Sequence, residues 1–269
     1  MAPHPPTRHR SAWLEIDLDA VRHNVDLIAA LVAPAAVAPV VKANAYGHGV
    51  ERVAEALAGS VEALCVATID EAIDLRARVP GRVLLLYPVP PTAAEDAVHA
   101  GVELTVMSAD DLARLQAAAR ESQPPISLQL CVESGMHRGG LATGQLVEVA
   151  AAATRDPRFR ISGLWSHLAT PEDPASSGAQ VAAFEAASRA LVAAGLPLPQ
   201  RHLAASGGIF SHDAPTLDMV RPGLAIYGLL DEALPVAGDA VAAAAELRPA
   251  MALKARAVAF AFVGNGADE

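Results

Sequence analysis

Lysine is almost missing from this chain of 269 residues: of its 20 basic residues only Lys42 and Lys254 are lysine, and the rest are arginine. Arginine therefore fills the generic role of surface cation. Each remaining lysine invites a question, because lysine can shed its proton and attack a carbonyl where arginine cannot. Cysteine is scarce too. Cys65 and Cys131 are too few for a disulfide framework and lack the spacing of metal ligands, so no metal site is expected. No apolar run approaches the roughly 20 residues of a membrane helix. The longest, from Ala29 to Val41, is broken by Pro34 and Pro39 and then meets Lys42. The stretch from Met1 to Arg10 has no apolar segment behind it, so no secretory signal is read there and a cytoplasmic location is expected. Positive charge is in deficit. Thirty acidic against 20 basic residues give a net charge of -10, which argues against a nucleic-acid partner held mainly through its phosphates.

What the chain has is core material, at 52% hydrophobic residues, arranged in an alternation. Short runs rich in Val, Leu and Ile recur at 38–41, 63–67, 83–86, 103–106, 127–132, 161–165, 202–204 and 219–220. Between most of them lie stretches with the three- and four-residue apolar spacing of helices, at 50–58, 69–78, 93–100, 109–120, 146–153 and 179–194. Gly59, Pro80, Gly81, Gly101 and Gly195 punctuate the junctions. Strands that are apolar throughout fit a parallel sheet covered on both faces. Eight of them with helical crossovers predict an α/β fold, a (β/α)8 TIM barrel. A doubly wound open sheet would want a glycine-rich turn after the first strand; here that strand runs into Lys42-Ala43-Asn44-Ala45-Tyr46 instead.

The expected organisation is a flexible tail over 1–12, a barrel with a leading strand and helix over 13–230, and a linker plus the start of a truncated β-rich domain over 231–269. The leading helix begins near Asp17 or Asp19, either of which suits a cap. The run 251–262 alternates like a strand with one wet face, and it is expected to lack a partner.

Lys42 closes an apolar strand, where partial desolvation favours the neutral, nucleophilic amine. The plainer alternative is a lysine whose head escapes to water. Ser206-Gly207-Gly208 and Gly223 fall after strands seven and eight, where barrels build phosphate sites; Ser206 alone also reads as a helix cap. Arg221 could pair with Asp218, and His167 could be an ordinary rim histidine.

The phrase Val41-Lys42-Ala43-Asn44-Ala45-Tyr46-Gly47-His48-Gly49 resembles the pyridoxal-phosphate attachment motif of bacterial alanine racemases, which are fold-type III enzymes. The resemblance continues in order through Trp13 to Asn24, Ser134 to Gly140, Trp165 to Ala169, Met219 to Gly228 and Leu247 to Lys254. It implies a cytoplasmic isomerase that interconverts L- and D-alanine for cell-wall precursors, using pyridoxal 5'-phosphate, as a homodimer without membrane or nucleic-acid partners. The catalytic set so implied is Lys42, Arg138, His167 and Arg221. Lys42 would carry the cofactor as a Schiff base and act as one base at Cα. Tyr46, Ser206 and the backbone of Gly223 and Leu224 would hold the phosphate. Arg138 would face the phenolic oxygen, and Arg221 the pyridine nitrogen, with His167 hydrogen-bonded behind it.

Two departures from the family stand out. Many members carry a carbamylated lysine seven residues before the mid-barrel arginine; that position here is Cys131, so Arg138 must be held otherwise. Family racemisation also uses a second base, a tyrosine from the partner's β-domain. The three tyrosines here are Tyr46, Tyr87 and Tyr227, so low racemase activity from a truncated chain is expected. A stand-alone barrel that binds pyridoxal phosphate, for cofactor supply or as a non-catalytic subunit, is the alternative.

Overall fold

The strand β1 (Ala12–Ile16) leads into a helix over Leu18–Val32, and the Asp17 carboxylate caps it by accepting from Asp19 N at 3.0 Å and Ala20 N at 2.9 Å. Those bonds satisfy amides that the first helical turn otherwise leaves without partners. The computed structural model describes residues 10–120, 124–211 and 214–258.

Eight strands follow: β2 (Ala36–Val37), β3 (Ala63–Val66), β4 (Arg82–Pro88), β5 (Glu103–Val106), β6 (Ile126–Cys131), β7 (Phe159–Trp165), β8 (Gln200–Ala205) and β9 (Met219–Arg221). They form one sheet in the order β2-β9-β8-β7-β6-β5-β4-β3, and every neighbouring pair is parallel. The two ends of the sheet meet through a parallel bridge between Val40 and Cys65, with Val41 N donating to Cys65 O at 2.8 Å. The result is a nearly closed eight-stranded barrel with its crossover helices outside, as the alternation predicts.

The first barrel strand departs from its expected span of 38–41. Regular pairing stops at Val37, because Pro39 has no N–H to give to the ladder. The extended path continues through single bonds, Ala38 N to Val220 O at 2.9 Å and Val40 N to Pro222 O at 2.8 Å. Lys42 is thereby still delivered to the barrel mouth.

The late run expected to lack a partner has one. β10 (Met251–Ala255) pairs antiparallel with β1, in register from Ala12 opposite Ala255 to Ile16 opposite Met251. β1 offers an open edge with unpaired N–H and C=O groups, and β10 completes it. Phe260 and Phe262, in the same predicted run, lie outside the described residues. The stretch read as linker contains a helix over Ala240–Glu246.

Asn24 ties these parts together. Its fully buried amide donates to Ile226 O at 3.1 Å and Arg248 O at 2.8 Å, while its Oδ1 accepts from Arg248 N at 2.9 Å. One side chain thus joins the leading helix to the turn after β9 and to the segment entering β10. Asn24→Ala leaves buried backbone groups unpaired and is expected to lower the unfolding free energy by about 2–3 kcal/mol in urea titrations. A loss below about 0.5 kcal/mol would assign the pinning to other contacts.

Candidate functional site

A left-handed turn opens the site. Ala43, Asn44, Ala45 and Tyr46 have φ of 52°, 55°, 55° and 53°, a region that L-residues enter at a cost of roughly 1–2 kcal/mol each. Hydrogen bonds from outside the turn offset that strain. Ala43 N donates to Glu71 Oε1 at 2.7 Å, and Val50 N donates to Asn44 Oδ1 at 2.8 Å. The other Glu71 oxygen accepts from Ala67 N at 2.9 Å and Thr68 N at 3.1 Å, so one carboxylate fastens the turn to the loop after β3. The outcome is that Lys42 and Tyr46 reach the same cavity, with Nζ 5.8 Å from the tyrosine ring centroid.

That cavity, of about 280 Å³, lies at the C-terminal ends of the barrel strands. It is near the lower end of ligand clefts, roughly 300–1,000 Å³. Lys42, Tyr46, Arg138, His167, Ser206, Arg221, Gly223 and Leu224 all line it, so the residues the resemblance assigns to catalysis and cofactor binding are brought to one place. Three of these are cations outside any ion pair, and no aspartate or glutamate lines the cavity among the described residues.

Ser206 opens a short helix after β8 and accepts from Gly223 N at 3.0 Å and Ala225 N at 3.1 Å, leaving its own O–H to donate. Glycine at 223 leaves room for the Tyr46 hydroxyl: a Cβ there would stand 2.9 Å from it, and one of the two would have to shift. Two hydroxyls and a bare backbone thus meet in one concave corner.

Arg221 is 2% exposed and forms no ion pair. Its guanidinium donates to Ser166 O at 2.6 Å, Leu203 O at 3.2 Å and His202 Nδ1 at 2.6 Å, and it stands 4.9 Å from the Trp165 ring centroid. Burial lowers it to about 10, which leaves it a cation at neutral pH. This corrects the expectation that His167 lies behind it. His167 follows β7 on the cavity wall, whereas His202 sits on β8, the strand beside Arg221, and points into the barrel. A histidine within the apolar run of β8 was the available signal. Burial, then the charges of Arg221, Arg138 and Lys42, push His167 down to about 3, so it is neutral.

Arg138 has an aromatic partner. Its guanidinium lies 5.5 Å from the centroid of Tyr87, which stands near the end of β4 and lines the same cavity. Glu133 is occupied elsewhere, its Oε1 accepting from Gly135 N at 2.6 Å and His137 N at 3.1 Å to shape the loop. Burial pushes the Cys131 thiol up to about 12, so it offers Arg138 no countercharge. Tyr87, Glu71 and His202 are the supporting residues that sequence reasoning missed.

Comparison with known proteins agrees with this fold. The family model for the alanine racemase N-terminal domain matches residues 16–231. An alanine racemase of Salinispora tropica is 36% identical over 263 residues, covering 95% of this chain and 68% of the relative. The structure of a Clostridium difficile alanine racemase in complex with cycloserine is similar at a TM-score of 0.84 and 29% identity, covering 92% of this chain and 68% of that one. A Bartonella henselae alanine racemase with covalently bound pyridoxal phosphate is similar at a TM-score of 0.76 and 31% identity, covering 91% and 66%. The chain spans about two thirds of the length of these proteins.

Two outcomes follow from the site. A cation–π contact at this exposure is worth about 0.5–1 kcal/mol. Tyr87→Leu should therefore raise the rate of phenylglyoxal modification at Arg138 by about two- to fivefold, read by mass spectrometry, while Tyr87→Phe leaves it unchanged. Equal rates in all three proteins would remove Tyr87 as the support.

The second outcome concerns pH. Burial, then the charges of Arg221 and Arg82, hold His202 well below its ordinary 6.5. Below that pH only the unfolded chain takes the proton, so stability falls as pH drops, by up to about 1.4 kcal/mol per unit from this group. Urea titrations that stay flat between about pH 7 and 5 would contradict a buried neutral histidine.

Proposed function

The chain belongs to the alanine racemase N-terminal domain family, and from that premise we propose that its cavity holds pyridoxal 5'-phosphate on Lys42 and serves the racemisation of alanine. The observation that carries this reading is the charge of the cavity. Lys42, Arg138 and Arg221 converge with no carboxylate among the lining residues, which suits a ligand bearing several negative charges. The donor set fits the cofactor as well. The Tyr46 and Ser206 hydroxyls beside the bare backbone of Gly223 suit a phosphate, and the buried guanidinium of Arg221 suits a ring nitrogen.

When bound, pyridoxal phosphate supplies an electron sink for the α-carbon of an amino acid. The chain's own groups do the rest. Lys42 holds the cofactor and, once released, takes and returns a proton at Cα on its own face. Arg221 donates a hydrogen bond while keeping its proton, which limits the withdrawal of charge from Cα and favours return of a proton there over transamination. Arg138 attracts an anionic oxygen. The neutral ring of His167 adds a hydrogen-bonding group without adding charge.

Inversion needs an acid or base on the opposite face as well. Tyr227 is buried with its hydroxyl donating to Val40 O at 3.1 Å, Tyr46 stands against Gly223, and Tyr87 lies against Arg138. We therefore propose that the described residues by themselves exchange the α-proton faster than they invert the centre.

The test is run on the holoprotein in heavy water, with deuterium incorporation and inversion followed for each alanine enantiomer. Exchange with retention should outrun inversion for one enantiomer, and borohydride should place the pyridoxyl mass on Lys42. Inversion at the pace of exchange for both enantiomers would reveal a second base. Labelled Lys42 without exchange would favour the cofactor-binding barrel, and no label at Lys42 would overturn the reading.

A further inference from the structure

Arg221 is the visible end of a longer chain of hydrogen bonds through the barrel interior. Arginine is a donor only, so His202 Nδ1, 2.6 Å from Arg221 Nη1, must accept. The ring is neutral, so its proton sits on Nε2. That nitrogen is 2.9 Å from Gln129 Oε1, which accepts it. The Gln129 amide nitrogen then faces Glu103 Oε2 at 2.6 Å and donates to it. Glu103 accepts from Ser162 Oγ at 2.6 Å and from Arg82 Nε at 2.6 Å. Burial pushes its carboxyl up, but the bonds from Arg82, Ser162 and Gln129 outweigh burial and hold it below the usual range, so it is charged. Arg82 also pairs with Glu62 and donates to Gln200 Oε1 at 3.1 Å.

Every link therefore runs one way. A donor-only cation demands an acceptor at one end, and an acceptor-only carboxylate demands a donor at the other. The orientation of the Gln129 amide and the tautomer of His202 are the single assignment that satisfies both. The fold makes room for this chain: residue 163 on β7, opposite Gln129, is glycine, and a Cβ there would overlap the Gln129 amide.

We propose that Glu103, Gln129 and Gly163 are positioning residues for Arg221, and that the Arg82–Glu103 pair fixes through His202 how the guanidinium is aimed into the cavity. The consequence for the cofactor rests on the function proposed above; the relay itself does not.

The experiment therefore has two arms. The first is nitrogen-15 NMR of the wild-type protein and of Gln129→Met, which keeps the volume and removes the relay. In the wild type His202 should carry its proton on Nε2, and the Arg221 guanidinium should be immobile. In the variant the protected Nε2 proton should be lost and Arg221 should gain motion. A proton on Nδ1 in the wild type, or an Arg221 signal unaltered in the variant, would overturn the proposal.

The second arm compares binding of pyridoxal phosphate with its analogue bearing carbon in place of the ring nitrogen. Gln129→Met should weaken the former by about three- to tenfold, the worth of one hydrogen bond, and leave the latter unchanged. Equal weakening of both would make the relay a purely structural device and overturn its positioning role. If neither compound binds the wild type, the cofactor reading fails, and the first arm still decides the relay.

Discussion

A guanidinium buried without a carboxylate is the constraint around which this barrel is arranged. Taking such a charge out of water costs several kcal/mol unless fixed dipoles replace the lost hydration. Here the replacements come from three adjoining strands. β7 leads to the carbonyl of Ser166, β8 provides the carbonyl of Leu203 and the ring of His202, and β9 carries the cation itself. None of these acceptors is charged, so Arg221 keeps its positive field for whatever enters the cavity. A salt bridge at the same place would have neutralised it.

A similar economy of countercharge governs the other cations. Arg138 rests on the face of Tyr87, and the loop carboxylate Glu133 is spent on backbone amides. A cysteine at 131, neutral when buried, is compatible with this arrangement because an aromatic face steadies a cation without cancelling it. The three cations repel one another until an anion joins them. Such a set of cations suits a polyanionic ligand, and the interior relay below it keeps its own negative charge on Glu103, paired with Arg82.

Strain and support are matched around Lys42. Four consecutive residues hold left-handed dihedrals, an arrangement that persists only where surrounding contacts over-determine it. Glu71 and Asn44 supply those contacts by binding amides that a right-handed turn would have satisfied differently. The turn places a lysine and a tyrosine from one short segment at the same cavity wall, which a strand or a right-handed helix would have spaced otherwise.

Much of this was legible in the sequence. The alternation of apolar runs and helical spacing determined eight strands and their crossovers, because parallel strands buried on both faces can be little else. The scarcity of lysine and the phrase around Lys42 singled out the lysine at the cavity mouth, and the motifs carried the remaining cavity residues. Partners across the barrel were not legible. Which histidine stands behind Arg221 depends on the stagger of β8 against β9, and periodicity along one strand says nothing about stagger between two. The relay through Gln129 and Glu103 likewise joins residues 26 and 73 positions apart, and the pairing of β10 with β1 joins the two ends of the described chain. Only closing the barrel brings those groups within hydrogen-bonding distance, and once they are buried, the need to satisfy every donor and acceptor leaves them one arrangement.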